Sequence, residues 1–282
     1  MSDKKPVESR LQSQVILVTG ASSGIGKESV ITLLARGHIV YGGARRLEAM
    51  EDIKALGARV LFMDMTREET LTEAVSTVLA EQGRIDALVN NAGYGSTGAI
   101  EDVPLSEASR QFSVNVFGLA RLTQLVLPSM RLSGFGTIVN LSSVGGRIAT
   151  PMSGWYNATK YSVEALSDAL RHECRGFGIR VAIIEPGGIA TGWTAQAEAS
   201  VASVSGHTAY APMAARLLRV FADYGPRLSR PSVIASLIVR AIEARRPRRR
   251  YVGGFGARGA LLAVRLLPSF VLDWVIGWQF GR

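Results

Sequence analysis

The feature that most constrains this chain is a rhythm. From residue 15 to about residue 185, short apolar runs alternate with longer segments whose apolar residues recur every three or four positions. The runs at 15–19, 39–43, 60–63, 87–90, 137–141 and 181–184 read as strands, and 25–36, 47–56, 67–82, 106–131 and 155–176 read as helices. Strand alternating with helix builds βαβ units. Most of the runs are apolar throughout, which suits parallel strands covered on both faces. The expected fold is α/β, a doubly wound parallel sheet forming a single domain.

After Pro186 the rhythm fails. Residues 187–231 mix Gly, Ala, Ser, Thr and Pro with helix-capable stretches such as 213–222, and the segment at about 190–230 reads as an inserted lid. A helix near 232–245, a basic linker at 245–250, a short strand near Tyr251 and a glycine-rich stretch at 253–259 follow. The expected divisions are a disordered lead-in at 1–13, a main domain at 14–252 and an apolar, largely helical C-terminal extension at 253–282. The lead-in is polar and lacks the apolar stretch of a secretory signal.

With 282 residues, 47% of them apolar and 20% charged, the chain can bury a sizeable core, which excludes a disordered protein. The net charge of +9 is concentrated at one end: from Arg240 onward nine arginines face only Glu243 and Asp273. The nearly neutral body argues against nucleic-acid binding over the whole surface. The single cysteine, Cys174, excludes an internal disulfide and fits a reducing, cytoplasmic setting. His38, His172 and His207 lack metal-ligand spacing, so no metal is expected. The glycosylation-like triplets at Asn140 and Asn157 read as chance.

Chemistry enters at the first turn. Gly20, Gly24 and Gly26 lie where the first strand passes into a helix. Such a turn sets backbone N–H groups and the positive end of the helix against a phosphate. Alone, a glycine-rich connection without a ligand would explain it equally well. Downstream, Asp64, Asn90-Asn91-Ala92-Gly93, Asn115, Ser143, Tyr156-x-x-x-Lys160 and Pro186-Gly187 follow in order. As an ordered set over about residues 14–192, these motifs resemble the short-chain dehydrogenase/reductases, and the resemblance implies a Rossmann-type sheet and hydride transfer with a nicotinamide cofactor.

The resemblance implies that Gly20, Ser22, Ser23, Gly24, Ile25 and Gly26 cradle the cofactor. It implies that Asp64, with Met65 beside it, meets the adenine, although Asp64 also suits the cap of the helix that follows. Asn91, Ala92 and Gly93 are expected along the cofactor, with Asn90 structural. Pro186, Gly187, Ile189 and Thr191 are expected to close over the nicotinamide. The second strand runs into Ala44-Arg45-Arg46, where an NAD-binding sheet commonly offers a carboxylate. Arg45, helped by Arg46, can pair a 2′-phosphate, which favours NADP(H) over the alternative of a solvated arginine pair.

Tyr156 and Lys160 are four residues apart, on one helical face. A nearby ammonium lowers a phenol's pKa, so Lys160 is expected to tune Tyr156 for acid–base work. By resemblance, Lys160 also holds the nicotinamide ribose, Ser143 the substrate oxygen, and Asn115 a water-linked relay to Lys160. Tyr94, Gly145, Trp193 and Tyr210 are candidates for the substrate wall. The expected reaction interconverts a hydrophobic alcohol and its ketone or aldehyde; a small-carbonyl reductase and a catalytically idle dinucleotide sensor are the alternatives, the latter disfavoured by the complete Asn115, Ser143, Tyr156, Lys160 set. By family resemblance a homodimer or homotetramer is expected.

The stretch 260–280 is apolar but broken by Arg265, Pro268 and Asp273, a poor spanning helix. It reads either as packed against the lid or a sister subunit, which is slightly favoured, or as an interfacial helix making peripheral membrane contact, with 245–250 facing anionic lipid. A nucleic-acid role for 245–250 competes with a solvated linker, which is the better reading.

Overall fold

A computed structural model describes residues 13–280. The lead-in expected at 1–13 therefore lies outside the described residues, apart from Ser13. β1 (Val15–Thr19) is buried at every position, as a strand sandwiched between helical layers must be. The chain continues through α1 (Gly24–Ala35), β2 (Ile39–Ala44), α2 (Glu51–Ala55), β3 (Arg59–Phe62), α3 (Glu68–Gln82), β4 (Ala87–Asn90), α4 (Leu105–Phe112), α5 (Leu119–Ser133), β5 (Gly136–Leu141), α6 (Gly154–Glu173) and β6 (Ile179–Pro186). Then come α7 (Gly192–Ser205), α8 (Ala211–Tyr224), α9 (Pro231–Glu243), β7 (Arg250–Gly253), α10 (Ala257–Leu266) and α11 (Ser269–Phe280).

The seven strands are all parallel, in the order β3-β2-β1-β4-β5-β6-β7. The chain builds outward from β1 to β3, then crosses back to add β4 on β1's other side. That reversal opens a crevice beyond the C-terminal ends of β1 and β4, where ligands of such sheets bind. Val30 and Leu33 of α1, Ile53 of α2 and Ile234, Ile238 and Ile242 of α9 fill one face. Leu71, Val75 and Val78 of α3 and Leu122, Val126 and Met130 of α5 fill the other, which α6 also covers.

Three expectations need correction. The continuous helix expected at 106–131 is broken: Ser113–Gly118 forms a π-helical segment between α4 and α5. The segment at 190–230 is more helical than the stretch at 213–222 alone implies: it carries α7 as well as α8, whose Val201, Ala214 and Leu217 form a separate small core with Ala99 and Met152. The basic linker is not a solvated stretch at its far end. Arg250 pairs with Glu164 at 2.6 Å, Asp168 at 2.9 Å and Glu185 at 3.2 Å, and Arg249 pairs with Asp168 at 2.7 Å. The acidic face of α6 neutralises that half of the run, which removes it from any anionic partner.

Beyond β7, α10 packs on β7 and on the turn at 144–146, and α11 packs on α8, with Ile276 entering the small lid core. Asn140, Ser142, Asn157 and Thr159 are all buried, so both glycosylation-like triplets lie in the interior.

Candidate active site

The first turn takes its shape from glycine. Gly20 has φ +68°, a conformation L side chains rarely adopt, and a Cβ there would lie 2.8 Å from Asn91 Nδ2. A Cβ on Gly26 would run into the Gly20 carbonyl and the Asn91 amide. The turn is braced from β4: Asn91 Nδ2 donates to the Thr19 carbonyl at 2.8 Å, and the Thr19 hydroxyl accepts from the backbone of Asn91 at 3.0 Å and of Ala92 at 2.9 Å. Asn91 thus spends its amide on holding the turn. Asn90 is structural, donating to Asn140 and Thr123 in the core.

The N-terminus of α1 is left for an anion. Ser23 precedes it with extended backbone and no side-chain cap, and no acid lies in its first turn. Arg45 and Arg46 are exposed at the end of β2, with Arg46 within 3.5 Å of Ser22 Oγ. The uncapped end of α1 fits a dinucleotide phosphate. Asp64 accepts from the backbone N–H and hydroxyl of Thr66 at 3.0 and 2.8 Å, which braces the turn before α3; Arg67 stands at the cap position of that helix, so the capping alternative is not met. Partial burial works to raise its pKa, but those hydrogen bonds and the Arg45 and Arg67 guanidinium groups outweigh it and hold the carboxyl below its usual value. Met65, buried beside it, backs onto Gly118 of the π segment.

That π segment has a purpose at Asn115. An inserted residue in a helical turn re-aims the side chains around it, and such bulges concentrate at functional sites. The Asn115 amide, 1% exposed, takes a donor from Tyr94 N at 3.0 Å and gives to the Tyr94 carbonyl at 2.8 Å and to Thr159 at 3.1 Å. The side chain therefore clamps the loop after β4 to α6.

Ser143 follows β5 and accepts from Gly145 N at 3.0 Å, and its side chain shares the Gly145 surface with the Tyr156 ring. Lys160 is buried one turn along α6, with Nζ donating to the Leu141 carbonyl at 2.8 Å and standing 5.9 Å from the Tyr156 ring centre. Burial brings Lys160 down to about 8, against the opposing pull of Glu164. The expectation that Lys160 depresses the Tyr156 pKa is not met: burial raises it, and the Ser143 side chain is what opposes the rise. With Lys160 turned to Leu141 at this separation, desolvation of the phenol wins.

Asn157 was missed from the sequence. It is buried, donates to the carbonyls of Gly145 and Ile148 at 3.0 and 3.3 Å, and accepts from Thr150 N at 3.1 Å, fixing the Ser143 loop against the helix that carries Tyr156. Its adjacency to Tyr156 was the available signal.

Across the crevice, the loop after β6 comes down on the first turn. Thr191 caps α7 through Trp193 N, and its methyl lies 3.1 Å from where a Gly24 Cβ would stand. Pro186 ends β6, and the Gly187 and Gly188 backbones are tied to the strand and loop beyond β7, with Ile189 buried next to them. Of the wall candidates, Gly145 lies against Tyr156 and Ser143. The Trp193 ring is 5.4 Å from that of Tyr156 and packs on Gly95. A cavity of about 320 Å³ that includes Gly95 is lined by Tyr94, Glu107, Gln196 and Ser200. Tyr210 belongs elsewhere, its hydroxyl on Glu101 at 2.6 Å and its ring on the lid core. Among the described residues no His/Cys/Asp/Glu cluster could hold a metal.

A family model described as short chain dehydrogenase matches residues 14–202. The chain belongs to the short-chain dehydrogenases. This short-chain dehydrogenase is 43% identical over 184 residues to a 3-ketodihydrosphingosine reductase of Bacteroides thetaiotaomicron, covering 65% of this chain and 67% of that one. It is 33% identical over 267 residues to an NADPH-dependent 3-dehydrocapnine reductase of Ornithobacterium rhinotracheale, covering 91% and 94%. A crystal structure of a short-chain dehydrogenase from Streptomyces avermitilis superposes with a TM-score of 0.75 at 31% identity, over 95% of this chain and 97% of that one. The protein is thus an oxidoreductase acting with NAD(P) on a Rossmann-like sheet.

Proposed function

We propose that this dehydrogenase uses NADP(H) to interconvert a hydrophobic ketone or aldehyde and its alcohol, with Tyr156 exchanging the proton on the substrate oxygen. The observation that carries the reading is the convergence of Ser143, Tyr156 and Lys160, with Ser143 and Tyr156 both against Gly145 and Lys160 Nζ 5.9 Å from the Tyr156 ring centre. NADP(H), when bound, supplies or accepts the hydride. Burial keeps Tyr156 protonated, so it is set to give its proton to a developing alkoxide. Ser143 orients the phenol and the substrate oxygen, and the Lys160 ammonium stabilises negative charge left on the tyrosine. Asn115 and Asn157 act through position, holding the two loops that frame the phenol.

The cofactor preference rests on Arg45 and Arg46, exposed after Ala44 with no carboxylate at the strand end. One relative's name describes NADPH dependence. The substrate class rests on the Trp193 ring set beside Tyr156 and on the relatives named 3-ketodihydrosphingosine reductase and 3-dehydrocapnine reductase, dihydrosphingosine being a long-chain amino alcohol. We place first a ketone near the head of a long aliphatic chain. Exposed Leu105, Phe117, Tyr161 and Leu166 support self-association as a homodimer or homotetramer.

The deciding experiment follows oxidation of NADPH, with NADH in parallel, over 3-ketodihydrosphingosine, steroid ketones, retinal, long-chain aldehydes and small ketones. Turnover with NADPH on a long-chain ketone supports the reading. Preference for NADH, or turnover confined to small ketones, overturns the corresponding half of it.

A further inference from the structure

The hairpin of α10 and α11 leaves an unusual surface. Leu262, Leu266, Phe270, Trp274 and Trp278 are all exposed, Trp278 by 72% and Phe270 by 72%. The hairpin is nevertheless anchored, because α10 rests on β7 and on the turn after Ser143, and Ile276 enters the lid core. An apolar face so open on a docked element marks an interaction site. Its charge says with what. Arg258 and Arg265, two turns apart on α10, flank a shallow groove of about 260 Å³ floored by Val252, Leu261 and Leu262. Neither guanidinium has a carboxylate partner among the described residues. Nor do Arg245, Arg246 and Arg248, whereas Arg249 and Arg250 of the same run are spent on α6. Across 244–278 the sole acid is Asp273. Unpaired arginines around exposed Leu, Phe and Trp match a surface that is anionic at its edge and apolar beneath.

We propose that the α10–α11 hairpin docks this enzyme on a lipid bilayer bearing anionic headgroups. Arg258 and Arg265 take headgroup phosphates, and Leu262, Leu266, Phe270, Trp274 and Trp278 enter the interface. No described helix is long and apolar enough to cross a membrane, so the contact is peripheral. Since α10 touches the turn that follows Ser143, the docked hairpin adjoins the proposed site. A ketone dissolved in the bilayer then reaches the site without crossing water, a consequence that rests on the function proposed above; the docking itself does not.

The test is co-sedimentation of the full-length protein with vesicles of phosphatidylcholine alone and of phosphatidylcholine mixed with phosphatidylglycerol. Binding is expected on the mixed vesicles and is weakened by salt. R258Q/R265Q should cut it roughly 30-fold, at about one lost headgroup attraction per arginine, and W274A/W278A should abolish it. NADPH affinity, measured by titration, should stay unchanged in both variants, which separates this proposal from failure of the proposed reaction. Equal binding to both vesicle types, or none to either, overturns the proposal. So does sedimentation velocity in which W274A/W278A dissociates an oligomer, because the face then belongs to a second copy of the chain.

Discussion

Replacing Glu185 by glutamine would expose the electrostatics beneath the site. Glu185, one residue before the end of β6, is 2% exposed, and Glu164 of α6 lies beside it at 6%. Burial, then the Glu164 carboxylate, push Glu185 up to about 7, although Arg250 and Arg147 pull the other way. Glu164 Oε1 and Glu185 Oε1 are both buried without a hydrogen bond, although Arg250 Nε stands 3.2 Å from Glu185 Oε1, and a proton on Glu185 removes one of the two neighbouring buried charges. The folded protein therefore holds a proton that the unfolded chain, with its ordinary value of 4.5, has already released. An acid shifted upward stabilises most below its unfolded value, and that stability is lost as pH rises to the folded one. About 2.5 pH units at about 1.4 kcal/mol each make the loss at most ~3.5 kcal/mol. Glutamine keeps the shape and cannot ionise. E185Q should match the parent near pH ~5 and exceed it by ~3 kcal/mol near pH ~8, a rise in Tm of about 6 °C. Urea denaturation at the two pH values measures the difference. A variant less stable than the parent at the higher pH, or a gap that does not change with pH, would refute the reasoning.

Other outcomes follow from the same geometry. Tyr156→Phe removes the proton donor and should lower kcat by at least about a hundredfold while NADPH still binds by titration; unchanged turnover sinks the assignment. Gly26→Ala forces a methyl into the Gly20 carbonyl and the Asn91 amide, so NADPH affinity should fall more than about tenfold, as read by calorimetry. Arg45→Ala should raise the Kd for NADPH by about tenfold or more and leave NADH almost untouched, at roughly 1.5–3 kcal/mol for a hydrogen bond to a charged group; equal loss for both cofactors would mean that Arg45 acts through Asp64 instead.

The parts of this protein that could be read from sequence are those whose cause is local. Continuous apolar runs mark strands covered on both faces, and β1, β4 and β5 are buried at every position. Tyr156 and Lys160 share a helical face whatever surrounds them. The Arg250 cluster could not be read this way, because Glu164, Asp168 and Glu185 come from α6 and β6, up to 86 residues earlier, and a charge run carries no mark of its partners. For the same reason the tuning of Tyr156 was misjudged: helical spacing brings an ammonium near, but the separation and the burial that decide the sign are tertiary quantities.

The broken helix at 113–118 shows where local reasoning fails for a functional cause. Between 105 and 133 only Gly118 and Pro128 disfavour helix, neither one breaks it at 113, and Asn115 is only mildly unfavourable there. A regular helix would have aimed residue 115 one step around the axis. The π segment lets its amide meet both backbone groups of Tyr94 and the Thr159 hydroxyl at once. Three hydrogen bonds to a buried amide are worth more than the regular turn they replace, each contributing about 0.5–1.5 kcal/mol net and costing more if left unmade. The bulge therefore depends on the side chain rather than on the backbone sequence around it. Asn115→Leu should restore a continuous helix, free the loop after β4 and loosen the Gly93 wall beside Lys160. Amide hydrogen exchange at Tyr94, whose N–H bonds to Asn115, is the readout. Faster exchange there, with the core strands unchanged, is the expected result, and unaltered protection would mean that the loop is held without Asn115.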